Sequence, residues 1–172
     1  NIPFPTNHPQ MVGFHSIRSE NQRSLLNDSD LIITAGADLF SDWFYEGDVL
    51  ISKQTELIQL DSKPDTQGNR QPSKITGLGN LKVILKQILE TIDYSKIQNT
   101  KKRIEEISNI KKENDKASKK AAEKNWNNAL MSPERAMFEV SKSIPKNSII
   151  VNDAISHNAA LMEYIKFDSS DQ

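Results

Sequence analysis

Leu31-Ile-Ile-Thr-Ala35 stands between the polar triplet Asp28-Ser29-Asp30 and Gly36. A short, nearly unbroken apolar run of this kind predicts a strand covered on both faces, as in a parallel sheet. A second run, Leu57-Ile-Gln-Leu60, ends in Asp61 and predicts another strand. Further along, Leu81, Ile84, Leu85, Ile88, Leu89 and Ile92 recur at the i, i+3, i+4, i+7 spacing of a helix with one buried face. Asn80 stands where a helix cap is expected, behind Gly77 and Gly79. Strand, strand and helix in this order predict an α/β arrangement. The two strands are expected to run parallel and to end near the same sheet edge, with a right-handed connection across one face.

The flanks are less regular. Pro3, Pro5 and Pro9 keep the opening extended, because each proline disfavours helix at the residue before it. Ser16 or Ser19 can cap a helix running to about Asn27, whose sparse apolar marks (Ile17, Leu25, Leu26) predict a surface position. Residues 37 to 56 form a long connection with two aromatic clusters, and Lys63-Pro64-Asp65 and Gly68-Asn69 mark turns. Between Lys96 and Lys124, Lys and Arg outnumber Asp and Glu by ten to five, with sparse Ile97, Ile104, Ile107 and Ile110. That segment reads either as a basic partner-binding helix or as a solvated helical linker. The narrow apolar stripe and the lack of aromatics before Trp126 favour the linker.

A new unit begins at Met131. Ser132-Pro133-Glu134 combines a cap, a proline at the first helical position and an acid facing the helix dipole. Ala136, Met137, Val140 and Ile144 form the expected buried face, 148–151 is read as a strand, and 154–165 as a further helix. The expected division is 1–94, 95–130 and 131–172. One strand and two helices cannot bury a core, and Asn1 falls inside a connection. Both outer units are therefore expected to be incomplete, leaving a bare sheet edge and uncovered apolar surface.

Composition removes several alternatives. The 172 residues are 36% hydrophobic and 26% charged, with a formal net charge of -1. This balance gives no overall pull toward nucleic acid. No apolar run reaches the roughly 18 residues of a spanning helix, so no membrane partner is expected. There is no cysteine, which rules out disulfides and thiolate metal sites and fits a cytoplasmic setting.

Three segments together carry a family resemblance: FPTNHPQMVGF at 4–14, the strand 31–36 followed by Ala37-Asp38-Leu39-Phe40, and Leu57-Ile-Gln-Leu-Asp-Ser-Lys-Pro64. In order and spacing they resemble the central domain of thiamine-diphosphate-dependent enzymes, a superfamily that includes acetolactate synthase, benzoylformate decarboxylase and pyruvate oxidase. The helix 81–92 is similar to the one closing that domain, and 132–160 resembles the start of the diphosphate-binding domain that follows it. The resemblance implies an α/β chain: a Rossmann-like parallel sheet, as an incomplete central domain, then the first α-β-α elements of a second α/β domain. His8-Pro9, Gly13-Phe14 and the stretch from Asp38 to Tyr45 look closer to benzoylformate decarboxylase. Acetolactate synthases carry an Arg-Phe-Asp-Asp-Arg run associated with flavin. Here Ala37-Asp38-Leu39-Phe40-Ser41-Asp42 stands instead, which puts FAD in doubt.

The resemblance implies thiamine diphosphate and Mg2+ as cofactors, with the catalytic glutamate and the Gly-Asp-Gly…Asn metal motif outside these residues. It places the one cofactor segment at Asn152-Asp153-Ala154-Ile155-Ser156, where Asn152, Asp153 and Ser156 are the candidate cofactor-binding residues. A strand end followed by a helix amino terminus suits a phosphate, and Ser156 can donate a hydroxyl to it. Asn152 and Ser156 can equally be plain helix caps. No catalytic or metal-ligating residue is expected in the chain itself. His8 and His15 lack a third ligand at fixed spacing. His157 is either a substrate-facing residue or an ordinary first-turn one. Asp61 ends a strand where a Rossmann-type acid binds ribose, or is a structural acid. Trp43, Phe44 and Tyr45 are a stacking platform or a packing surface.

The expected parent is a thiamine-diphosphate-dependent 2-oxo acid decarboxylase or carboligase, a lyase or transferase, assembled as a homodimer or homotetramer. The alternative is a non-catalytic Rossmann-like nucleotide-binding or regulatory module whose basic helix binds a partner.

Overall fold

The computed structural model describes residues 4–13, 25–37, 51–69, 71–124 and 126–169. The chain is α/β and divides into two compact units. One comprises residues 15–96; the other combines 1–14 with 97–172.

Among its described residues the first unit holds three parallel strands in the order β1 (Leu31–Ala35), β2 (Glu56–Asp61), β3 (Ile75–Leu78). The parallel pairing of β1 and β2 and their common edge agree with the sequence expectation. β3 was not foreseen, because Ile-Thr-Gly-Leu is short and its glycine reads as a turn. In register, Ile33 faces Ile58, and Ile58 faces Ile75. Side chains alternate along each strand, so these three share one sheet face while Ile32, Leu57 and Gln59 share the other.

The second of these faces is sealed. Leu26, Ile32, Ile51 and Leu57 pack together, with Leu57 only 1% exposed. Burying such a side chain contributes about 1.5–3 kcal/mol. Gln59 is buried beside them. Its Oε1 accepts from the Gly68 amide at 2.7 Å and from the Ser73 hydroxyl, so the connection between β2 and β3 lies on this face. Gln67 Nε2 donates to the Gly77 carbonyl at 2.9 Å.

The opposite face carries helix α1 (Leu81–Thr91), capped by Asn80 Oδ1 accepting from the Val83 amide at 3.3 Å. Leu81 and Ile84 meet the carboxyl end of the sheet beside Gly36 and Gly77. The helix goes no further, and this corrects two expectations. Leu31 is 41% and Ile33 53% exposed, so β1 is covered on one face rather than two. Leu85, Ile88 and Leu89 are exposed as well, so the apolar stripe of α1 is not a buried face. The periodicity identified the helix correctly, but the three strands among the described residues do not cover its length. The helix expected to reach Asn27 lies mostly outside the described residues; 25–27 are helical.

The second unit contains α2 (Thr100–Lys124), α3 (Pro133–Ser143) and α4 (Asn158–Tyr164). Ser132 caps α3 as expected, its hydroxyl accepting from the Arg135 amide at 3.2 Å. Trp126, Phe138 and Tyr164 form an edge-to-face chain with centroids 6.0 and 6.1 Å apart. The Arg135 guanidinium lies 4.7 Å from the Trp126 centroid, and Lys142 Nζ lies 4.1 Å from that of Phe138. The lysine-rich segment is a 25-residue helix that packs against α3, with Ala122 fully buried. Tyr164 Oη donates to the Ser118 carbonyl at 2.7 Å, and the Ser118 hydroxyl bonds the Glu163 carboxylate. Compactness thus groups 97–130 with 131–172, where the sequence reading separates a linker at 95–130.

Two more expectations are corrected here. Residues 148–151 are irregular, not a strand, and the following helix begins at Asn158 rather than Ala154. A strand needs a neighbour to satisfy its backbone groups. Among the described residues 148–151 pair with none, and Ile149 and Val151 are 76% and 90% exposed. The opening segment is also more folded than its prolines suggest. Its turns are closed by His8 N to Pro5 O and Met11 N to His8 O at 3.2 and 2.9 Å.

Gly36 tests the packing of α1 on the sheet. Its φ is +65°, and a Cβ there would stand 2.6 Å from Leu81 Cδ1. Gly36→Ala should cost at least the roughly 1–2 kcal/mol of a left-handed non-glycine residue. Urea unfolding followed on the sheet unit checks this, and an unchanged midpoint would contradict the close approach.

Candidate functional site

The 152–156 segment is an exposed turn leading into α4. Asn152 organises it from both ends of its amide. Oδ1 accepts from the Ala154 amide at 2.9 Å, and Nδ2 donates to Asn158 Oδ1 at 2.5 Å. The first bond is an Asx-turn, the local motif that makes asparagine common at such positions. Asp153 and Ser156 are exposed, and Ile155 is 96% exposed. Ser156 lies in the turn before α4, not in its first helical turn as expected, and His157 holds the cap position without a side-chain cap bond. The turn therefore keeps Asn152, Asp153 and Ser156 within one short loop, held to the helix by the Asn152–Asn158 bond.

Chemically, this loop offers one hydroxyl and one carboxylate to solvent. A hydroxyl suits a phosphate oxygen. The Asp153 carboxylate repels one and would serve a diphosphate only through a bridging cation. Among the described residues no group of three or more His, Asp or Glu side chains is arranged to hold a metal. These two groups are chemically compatible with the edge of a diphosphate site only beside a cation.

A cavity of about 200 Å³ lies in the same unit, walled by Ser141, Ile144, Ile150, Tyr164, Lys166 and neighbours. It excludes 152–156 and is smaller than the roughly 300–1,000 Å³ usual for cofactor sites.

The other sequence candidates resolve into local roles. Asp61 Oδ1 accepts the Lys63 amide at 3.0 Å across the turn that follows β2. That bond, helped by the Thr66 hydroxyl and the Ser62 amide, holds its carboxyl below the ordinary carboxylate value. The structural reading of Asp61 is the one this geometry supports. His8 stacks edge-on to Phe4 with centroids 5.0 Å apart, and its Nδ1 accepts from the Gln10 amide at 3.1 Å. His157 is exposed. His15 and the Trp43-Phe44-Tyr45 cluster lie outside the described residues. Gln59 was missed as an organising residue, although a lone polar side chain inside Leu57-Ile-Gln-Leu60 was its signal.

No family model matches the chain. It is similar to a probable acetolactate synthase large subunit of Methanococcus aeolicus, with 27% identity over 178 residues covering 93% of this chain and 28% of the relative. It is also similar to human 2-hydroxyacyl-CoA lyase 1, with 28% identity over 159 residues covering 87% of this chain and 25% of the relative. Acetolactate synthase is among the thiamine-diphosphate-dependent enzymes on which the sequence resemblance rests, so that resemblance is borne out across most of the chain. The chain spans about a quarter of the length of these curated relatives. No helix among the described residues is long and apolar enough to cross a membrane.

Asp61 gives a pH test. Its folded-state pKa is lowered, so the stabilisation from its turn is present above the ordinary carboxylate pKa. It is lost as pH falls through the depressed folded value. Carboxyl-detected NMR should find Asp61 titrating below the ordinary aspartate value, with the Lys63 amide shifting in step. An ordinary titration with a static Lys63 amide would contradict the bond.

Proposed function

We propose that this chain is part of a thiamine-diphosphate-dependent enzyme acting on a 2-oxo acid, as a decarboxylase or carboligase. The carrying observation is the similarity to acetolactate synthase and 2-hydroxyacyl-CoA lyase across 93% and 87% of the chain. The parallel order β1, β2, then β3 and α1 supports it. Residues 1–94 are assigned to part of the central domain, 95–130 to a connection, and 131–172 to the start of the diphosphate-binding domain. The segment 4–13 folds with residues 97–172. Benzoylformate decarboxylase remains one candidate type beside the synthase and lyase named by the relatives. A cytoplasmic homodimer or homotetramer is the proposed assembly.

When bound, thiamine diphosphate supplies the carbon nucleophile and electron sink for breaking the bond beside a keto carbon. The residues of this chain have a binding role. Ser156 would donate its hydroxyl to a phosphate oxygen. Asn152 shapes the turn that presents it. Asp153 would tolerate the diphosphate only beside its Mg2+, whose charge would offset the repulsion of the carboxylate. β1, β2 and α1 form a structural support without a reacting group.

The alternative, a regulatory module with a partner-binding basic helix, draws on the lysines of α2. Four of them are already matched within the helix: Lys102 with Glu106, Lys111 with Asp115, Lys116 with Glu113 and Lys119 with Glu123. This internal pairing supports a solvated, packed helix and leaves the enzyme reading preferred.

In the full-length parent, Ser156→Ala should weaken thiamine diphosphate binding about tenfold to a hundredfold, the worth of one hydrogen bond to a charged group. Cofactor titration into apoprotein measures this. Unchanged affinity would remove Ser156 from the site and return 152–156 to a plain helix entry.

A further inference from the structure

Residues 4–13 precede the sheet in sequence yet fold with the helices that follow it. Thr6 is 3% exposed and Phe167, 161 positions later, is also 3% exposed. The two exchange hydrogen bonds. The Thr6 amide donates to the Phe167 carbonyl at 2.9 Å, and the Phe167 amide donates to Thr6 Oγ1 at 2.8 Å. Asn7 Nδ2 bonds the Asp168 carboxylate alongside. At the far end of the segment, Asn114 Nδ2 of α2 donates to the Val12 carbonyl at 3.0 Å. The segment is therefore fixed at both ends, to α2 and to the residues leaving α4.

We infer that residues 4–13 are a strap that locks α4, and through it the 152–157 turn, against the helical unit, with Thr6 as the positioning residue. The chain of contacts is continuous. Thr6 fixes Phe167, two residues after the buried Ile165, whose amide closes α4 on the Leu161 carbonyl at 3.0 Å. Tyr164 and Glu163 tie the same helix end to Ser118. At the other end of α4, Asn158 holds Asn152 and so the turn. A helix of seven residues is too short to persist by itself in water. Its order comes from these anchors, and the strap adds a further one on its carboxyl side to those at Ser118. This inference does not depend on the cofactor assignment, because the strap acts whether or not a ligand binds.

Residue-resolved amide hydrogen exchange on the 172-residue chain tests it. Thr6→Val keeps size and the backbone bond but removes the acceptor of the Phe167 amide. Leaving a buried donor unsatisfied should speed exchange at Phe167 and across 161–165 by about tenfold or more. The amide of Ala154 should follow, while α2 and the strands keep their wild-type rates. Thr6→Ser, which restores the acceptor, should return the wild-type pattern. Acceleration confined to Phe167 would show a local contact with no hold on α4. Uniform acceleration through α2, α3 and α4 would show a general core residue. No acceleration at all would show that Phe167 is held by other means. Each of these three results overturns the strap.

Discussion

Strand β2 is the element on which the sheet unit depends. It has a parallel neighbour on each side, and its side chains serve three different needs. Leu57 seals one face and Leu60 is buried on the other beside Gly77. Gln59 satisfies its polarity on the loop that leads to β3, which turns a buried amide into an anchor. Asp61 then closes the exit turn with its carboxylate. Removing apolar area from water drives the first pair, and the two polar residues fix which backbone path accompanies it.

The helical unit is built on another principle. Its described core is small, with Ala122, Tyr164, Ile165 and Phe167 as the buried apolar residues. Aromatic edges, cations over rings and bonds between distant segments take the place of a large aliphatic core. Lys111 is 8% exposed and reaches both Asp115 oxygens at 2.6 Å, while Lys166 approaches the same carboxylate at 3.6 Å. A lysine-rich helix can thus be a packed element, because its charges are matched where water is excluded. The proposed cofactor turn projects from this unit and is held mainly at one end.

The elements with strong local signals were legible in the sequence. β1 matches the apolar run at 31–35, α1 follows its spacing and its Asn80 cap, and α3 starts where Ser132-Pro133-Glu134 places it. Burial was less legible, since it depends on how far neighbouring elements reach. Ile33 and Leu89 read as core and stand exposed. The segment 148–151 has strand-forming residues but no partner to pair with, so propensity alone did not make it a strand. The candidate turn at 152–156 was placed by resemblance, and its Asx geometry follows from Asn152, yet its distance from the helix start was misjudged by that missing strand. The bond pair of Thr6 and Phe167 had no sequence signal, because nothing periodic connects residues so far apart.

The sheet has one sealed face and one half-open face, and a matched pair of substitutions tests this asymmetry. Leu57 and Ile33 are both aliphatic strand residues, but they stand on opposite faces at 1% and 53% exposure. In urea unfolding of this chain, Leu57→Ala should cost about 2–5 kcal/mol, the usual range for a buried leucine. Ile33→Ala should cost under about 1 kcal/mol, since much of its side chain already meets water. Equal losses at the two positions would mean that the Ile33 face is as deeply buried as the other, and would contradict the asymmetry.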